Sequence, residues 1–170
     1  MIPKVDTLLD HMTGALTDLI RERGLEDPLM VGIHTGGVWV ARELHRRLGL
    51  PGRLGELDIS FYRDDFSRIG MHPQVKPSNL PFSLDDAHII LVDDVLYTGR
   101  TIRAAMNELF DFGRPASITL AVLVERGGRE LPIEAQVVGA RLDLGPQEQI
   151  KLSGPEPLEL TLVRTEDTAR

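Results

Sequence analysis

Asp93 and Asp94 stand side by side after a short apolar run, and Thr98-Gly99-Arg100-Thr101 follows them within the stretch HIILVDDVLYTGRT. Ile89, Ile90, Leu91 and Val92 suit a strand buried on both faces, which puts the two acids at its carboxyl end. In open α/β sheets ligands bind outside the carboxyl ends of the strands, so acids there meet a ligand rather than a core. Ile102, Ala105, Met106 and Leu109 recur at helical spacing, so a helix starts at the turn. Two hydroxyls, a glycine that lets backbone approach closely, an arginine and helix N-terminal N–H groups together make a phosphate site. Carboxylates for sugar hydroxyls beside donors for a phosphate describe a ribose 5-phosphate cradle. Acids at a strand end also occur in response-regulator receivers, and an Asp-Asp pair can simply cap a loop. Neither alternative employs the Thr-Gly-Arg-Thr turn.

The rest of the chain supplies the frame for those residues. Leu8, Leu9, Met12, Leu16, Leu19 and Ile20 mark an amphipathic helix over 7–23 that ends near Gly24. Leu29 to His34 reads as the first core strand, Thr35-Gly36-Gly37 as a turn, and Val38 to Leu48 as a helix closed by Gly49. Gly55 to Tyr62 alternates as a second strand before Arg63-Asp64-Asp65, and Phe66 to Pro81 reads as a long loop rich in proline and polar residues. Beyond the motif helix, Ser117 to Val124 is another apolar strand and Gln136 to Val138 a short one. Glu148 to Lys151 with Leu158 to Arg164 forms a closing hairpin. His34 and Trp39 read as core or interface residues, Tyr97 as a packing or loop-positioning residue, and Met12 and Met106 as parts of helical core stripes. Strands alternating with helices predict a parallel α/β sheet with crossover helices. Neither GxGxxG nor GxxxxGK[ST] occurs, which removes the main support for a dinucleotide or P-loop site.

A chain of 170 residues suits one compact domain with its own core. With no cysteine there is no disulfide, thiol nucleophile or thiolate metal site. The first residues lack the basic segment and uninterrupted apolar core of a signal peptide, and no apolar run approaches bilayer length. A cytoplasmic protein with no membrane partner is expected. The formal charge of −7 disfavours a general nucleic-acid binder but leaves room for a local basic patch.

The stretch HIILVDDVLYTGRT resembles the phosphoribosyl-pyrophosphate (PRPP) motif of type I phosphoribosyltransferases, in which acids precede a loop around the 5-phosphate. Together with VGIHTGGVWVAREL, GELDISFYRDD, DFGRPASITLAVLVERG and RELPI, in that order, it resembles the PyrR family over most of the chain. These are pyrimidine-operon attenuation proteins that also act as uracil phosphoribosyltransferases. The resemblance implies a type I phosphoribosyltransferase fold, α/β, with a mainly parallel central sheet flanked by helices. It further implies that residues 1–170 form one domain whose terminal segments build a small hood, and that the chain assembles as a homodimer or higher homo-oligomer.

The reaction implied is uracil plus PRPP giving UMP and pyrophosphate, with Mg²⁺ carried mainly by the substrate rather than bound directly by the protein. Asp93 and Asp94 then hold the ribose hydroxyls, with Asp94 favouring positive charge at the reacting carbon, and Thr98, Gly99, Arg100 and Thr101 anchor the 5-phosphate. Thr35, Gly36 and Gly37 match the pyrophosphate loop, although the family commonly has Arg at the position of Gly36. Arg63, at the mouth of the long loop, is the candidate for a leaving-group role. Glu125 and Arg126 fall where relatives place groups near the base, with Glu125 standing where the family usually has Asp. The alternative function is a uridine-nucleotide-responsive regulator that binds pyrimidine-operon mRNA, with slow or vestigial chemistry. Gly14, Thr17, Gly128, Glu134 and Ala140 occupy positions where RNA-binding relatives carry polar or basic contacts; Arg129 remains and Arg141 is one position away. That depletion predicts weakened attenuation and an enzyme-dominant protein.

Overall fold

The computed structural model describes residues 2–59 and 78–165. Strands β1 (Leu29–Ile33), β2 (Gly55–Leu57), β3 (His88–Leu96), β4 (Ser117–Arg126) and β5 (Val137–Leu142) form one sheet in the order β2-β1-β3-β4-β5. Every neighbouring pair is parallel. Helices α1 (Val5–Arg23), α2 (Gly36–Leu48) and α3 (Arg100–Phe112) cover its faces.

The period-2 alternation of the central strands explains how both faces are filled. Ile90 and Val92 of β3 pack with Leu9, Met12 and Leu16 of α1 and Val40 and Leu44 of α2. Ile89 and Leu91 point the other way, against Ile102, Ala105 and Leu109 of α3. The α1–α2 contact is reinforced at the surface by Arg47, whose Nη2 donates to Asp6 at 2.8 Å and whose Nη1 donates to Asp10 at 2.6 Å. Burial disfavours the Arg47 charge, but the hydrogen bond to Asp6 and the Asp10 and Glu43 carboxylates outweigh it and raise its pKa.

A separate antiparallel pair, β6 (Glu148–Ser153) and β7 (Glu159–Arg164), is the hairpin predicted from the sequence. It docks on the α1–α2 side: Ile150 is buried there, with Leu152, Leu158 and Leu160 packed around it, and Gly154 lies beside the Trp39 ring. Among the described residues no helix is long and apolar enough to cross a membrane.

Several boundaries differ from the sequence reading. α2 begins at Gly36 rather than Val38, because the two glycines form its first turn instead of a separate loop. β3 runs on to Leu96, so Asp93 and Asp94 lie within the strand. β4 continues beside it through the pairs Val95–Val124 and Leu96–Glu125, and buried Leu96 holds that extension on the α3 side. β4 accordingly ends at Arg126, and β5 occupies Val137–Leu142 rather than Gln136 to Val138. The second strand covers Gly55–Leu57; the remainder of its predicted span from residue 60 onward, with Arg63 and most of the long loop, lies outside the described residues.

Candidate active site

The turn between β3 and α3 is built around Gly99, whose φ of 94° a side chain would disfavour and which serves as the N-cap of α3. The Thr98 hydroxyl accepts a hydrogen bond from Arg100 N at 3.2 Å. The first N–H groups of an α-helix have no intrahelical carbonyl, so this end of α3 presents donors suited to an anion. Residues 130–133 brace the turn from outside. Thr98 O accepts from Glu130 N at 2.9 Å and Leu131 N at 3.1 Å, and Ile133 lies so close to Gly99 that a Cβ there would meet its side chain at 3.0 Å. Arg100 is exposed, and its Nε donates to Glu130 Oε1 at 2.8 Å.

A polar cleft of about 290 Å³ opens beside this turn, lined by His34, Thr35, Gly36, Asp93, Asp94 and Thr101, with Val95 at its edge. Asp93 is buried, and its Oδ1 accepts from Asp94 N at 2.8 Å. Asp94 is half-buried, and its Oδ1 accepts from Val95 N at 2.8 Å. Each carboxylate is therefore oriented by the next backbone N–H. Gly36 and Gly37 let the start of α2 approach these acids. A Cβ on Gly37 would lie 2.7 Å from Val92 O and 3.0 Å from Asp93 Cα, backbone that cannot turn aside, and a Cβ on Gly36 would run into the Asp94 carboxylate. Three stretches separated in sequence thus meet at one cleft: the Thr35-Gly36-Gly37 turn, the acid pair and Thr101.

His34 belongs to this cleft, although the sequence reading placed it with core or interface residues. Its Nε2 is 2.7 Å from Glu56 Oε1, and Arg42 Nη2 is 3.8 Å from Glu56 Oε2. The signal available in the sequence was its place at the end of the first strand, one residue short of the two glycines.

Glu125 and Arg126 line a different cavity, of about 360 Å³, with Gly127, Arg129 and Arg141. The Glu125 carboxylate is held at both oxygens: Arg129 Nη2 donates to Oε1 at 2.8 Å and Arg141 Nε to Oε2 at 2.7 Å. Arg126 is buried and turned away from solvent. Its guanidinium donates to Glu148 O at 2.6 Å and Gly145 O at 3.1 Å, and stacks 4.0 Å from the centre of the Tyr97 ring. Arg126 thereby ties the end of β4 to the connection before β6. On the face assigned to RNA, Gly14 has open space where a side chain would project, Thr17 Oγ1 donates to Thr13 O at 2.8 Å within α1, and Glu134 is exposed. Arg129, which remains, and Arg141, one position away, both pair with Glu125.

Residues 4–150 match the family model described as phosphoribosyl transferase domain. The chain is 61% identical over 160 residues to the bifunctional protein PyrR of Nitrosococcus oceani, covering 93% of this chain and 90% of that protein. It is 56% identical over 161 residues to the bifunctional protein PyrR of Pseudomonas savastanoi pv. phaseolicola, covering 95% of each. The chain belongs to the PyrR family of phosphoribosyltransferases. A solved hypoxanthine phosphoribosyltransferase from Trypanosoma cruzi superimposes with a TM-score of 0.68 over 96% of this chain and 95% of its own, at 20% identity, which establishes the shared fold. Within the PyrR frame, the parallel sheet is the type I phosphoribosyltransferase sheet, and the acid pair lies on its central strand β3, just before the β3–α3 turn.

Proposed function

We infer that this PyrR-family protein is a uracil phosphoribosyltransferase, joining uracil N1 to the anomeric carbon of PRPP and releasing pyrophosphate to give UMP. The observation that carries this reading is the single cleft in which Asp93, Asp94, Thr35, Gly36 and Thr101 converge. In the transfer the anomeric C–O bond breaks, positive charge develops on the ribose and negative charge on pyrophosphate, and the uracil N1 proton is released. A site that answers both charges lowers the barrier.

Asp93 and Asp94 are the groups for the ribose. Their oriented carboxylates accept from the 2- and 3-hydroxyls, and Asp94 adds negative potential near the developing cation. Thr98, Gly99, Arg100 and Thr101 receive the 5-phosphate at the start of α3 and so fix the anomeric carbon by binding a remote group. Thr35, Gly36 and Gly37 face the pyrophosphate, and Arg63 is assigned a leaving-group role from its place in the sequence. Glu125 serves the base side from the end of β4, its carboxylate fixed at both oxygens, and Arg126 through the strand end and connection it braces rather than by reaching the ligand with its own side chain.

Magnesium suits this donor set. Mg²⁺ prefers oxygen ligands and would enter on the PRPP phosphates, and the polar cleft beside the acid pair admits it while Asp93 and Asp94 keep their ribose role. When carried in with PRPP it offsets the charge that builds on pyrophosphate. Assembly as a homodimer or larger oligomer belongs to the same reading, through the resemblance to PyrR proteins. In this reading the terminal segments, α1 and the β6–β7 hairpin that packs with it, contribute to a small hood on a single domain. A cytoplasmic location fits a substrate set of phosphorylated metabolites.

The enzyme-dominant reading is favoured over attenuation by the pairing of Arg129 and Arg141 with Glu125, which offsets part of the positive charge those two arginines would offer to phosphates. Incubation with PRPP, Mg²⁺ and a panel of bases tests the assignment. UMP from uracil, with hypoxanthine and orotate unused, supports it; turnover of another base in preference to uracil contradicts it.

A further inference from the structure

We propose that Arg129 is a positioning residue that locks the 5-phosphate turn to the base-side end of β4. This rests on the reading of residues 98–101 as the phosphate site. All three guanidinium nitrogens of Arg129 point into the protein. Nε donates to Ile133 O at 3.0 Å, Nη2 to Glu125 Oε1 at 2.8 Å, and Nη1 to Tyr97 O and, at 3.5 Å, to Arg126 O. Those acceptors sit on three different pieces of the site. Tyr97 immediately precedes the turn, Glu125 and Arg126 end β4, and Ile133 is the residue packed on Gly99. The same segment closes a second link, because Glu130 N and Leu131 N donate to Thr98 O. Loosening Arg129 therefore frees the β3 end, the β4 end and the brace on Gly99 together.

The chemistry selects arginine specifically. A planar fork with several fixed donors can serve three carbonyls and a carboxylate lying in different directions, whereas a lysine ammonium is a point charge on a flexible stem. Arg129 is three-quarters buried, its side chain being 26% exposed, so its donors are committed inside the protein rather than offered to a polyanion at the surface. Its effect on PRPP thus runs through geometry and not through its charge.

The full-length Arg129→Lys and Arg129→Gln variants separate these two possibilities, with thermal unfolding confirming that each folds. Both are expected to raise the KM for PRPP about tenfold, with the KM for uracil moving by less than about threefold and kcat falling less than KM rises. The amide resonances of Thr98, Gly99 and Thr101 are expected to shift in both. Recovery of the wild-type KM for PRPP by Arg129→Lys would show that charge is what matters and would overturn the proposal, as would equal changes in both KM values. Should either variant fold poorly, Glu125→Gln loosens one end of the same link and is expected to raise the KM for PRPP by a smaller factor; an unchanged value would overturn the proposal. If the wild-type protein does not turn over uracil and PRPP, the functional reading fails while this one is still decided, by titrating ribose 5-phosphate into labelled protein. Weaker binding by both variants at residues 98–101 supports the lock, and equal binding by wild type and variants overturns it.

Discussion

Gly36 lies against Asp94 so closely that a Cβ on residue 36 would occupy the space of the Asp94 carboxylate. The turn after β1 and the acid pair on β3 are therefore one wall of the cleft, and the residue type at 36 sets where Asp94 points. Glycine at 36 leaves that carboxylate its place. It makes room for the Asp94 orientation in which Oδ1 accepts from Val95 N.

Gly36→Ala tests that coupling directly. A single methyl forces the Asp94 side chain into another rotamer, and displacement of a catalytic group by about an ångström is costly, so kcat is expected to fall roughly tenfold or more. Steady-state kinetics at saturating PRPP and uracil read the effect; an unchanged kcat would mean that Asp94 has room to move without consequence.

Asp94→Asn keeps the shape of the acid and removes its charge. Phosphoribosyl transfer is expected to fall by about 10²-fold while the unfolding temperature stays near that of the wild type, because the charge acts on the developing cation. Near-normal turnover by the folded variant would take that role away from Asp94.

Thr101→Val replaces a hydroxyl at the edge of the acid cleft with a methyl of similar size. A hydrogen bond to a charged phosphate is worth enough that the KM for PRPP is expected to rise roughly tenfold. A PRPP titration identical to wild type would assign the whole of phosphate recognition to the backbone N–H groups.

The sequence made the sheet and the acid-and-turn motif legible because both are local: an apolar run, adjacent carboxylates and a Gly-containing turn lie within fourteen residues of one another from His88 to Thr101. The hairpin of β6 and β7 was visible for the same reason. What periodicity does not encode is where a strand stops when its neighbour continues. β3 extends past its acids only because β4 runs beside it to Arg126. Nor does it encode the direction of a long side chain. Arg126 follows Glu125 in sequence, yet its guanidinium reaches the Gly145 and Glu148 carbonyls, and His34 reaches Glu56 across the parallel β1–β2 pair. Those partners are distant in sequence, and only the folded chain brings them together.

The RNA face yields a prediction of its own. With Arg129 and Arg141 engaged by Glu125 and Glu134 exposed, binding to a cognate pyrimidine-leader RNA is expected to be weak at near-physiological salt, with a shallow dependence on salt concentration. A gel-shift titration with and without UMP measures it. Tight, sequence-specific binding that UMP enhances would restore attenuation as a principal activity.

The central claim is the transfer itself, and the most direct measurement is the stoichiometry of products formed from uracil, PRPP and Mg²⁺ by the purified wild-type protein. The account predicts one UMP and one pyrophosphate for each PRPP consumed. PRPP left intact, or cleaved to pyrophosphate without UMP, would contradict it.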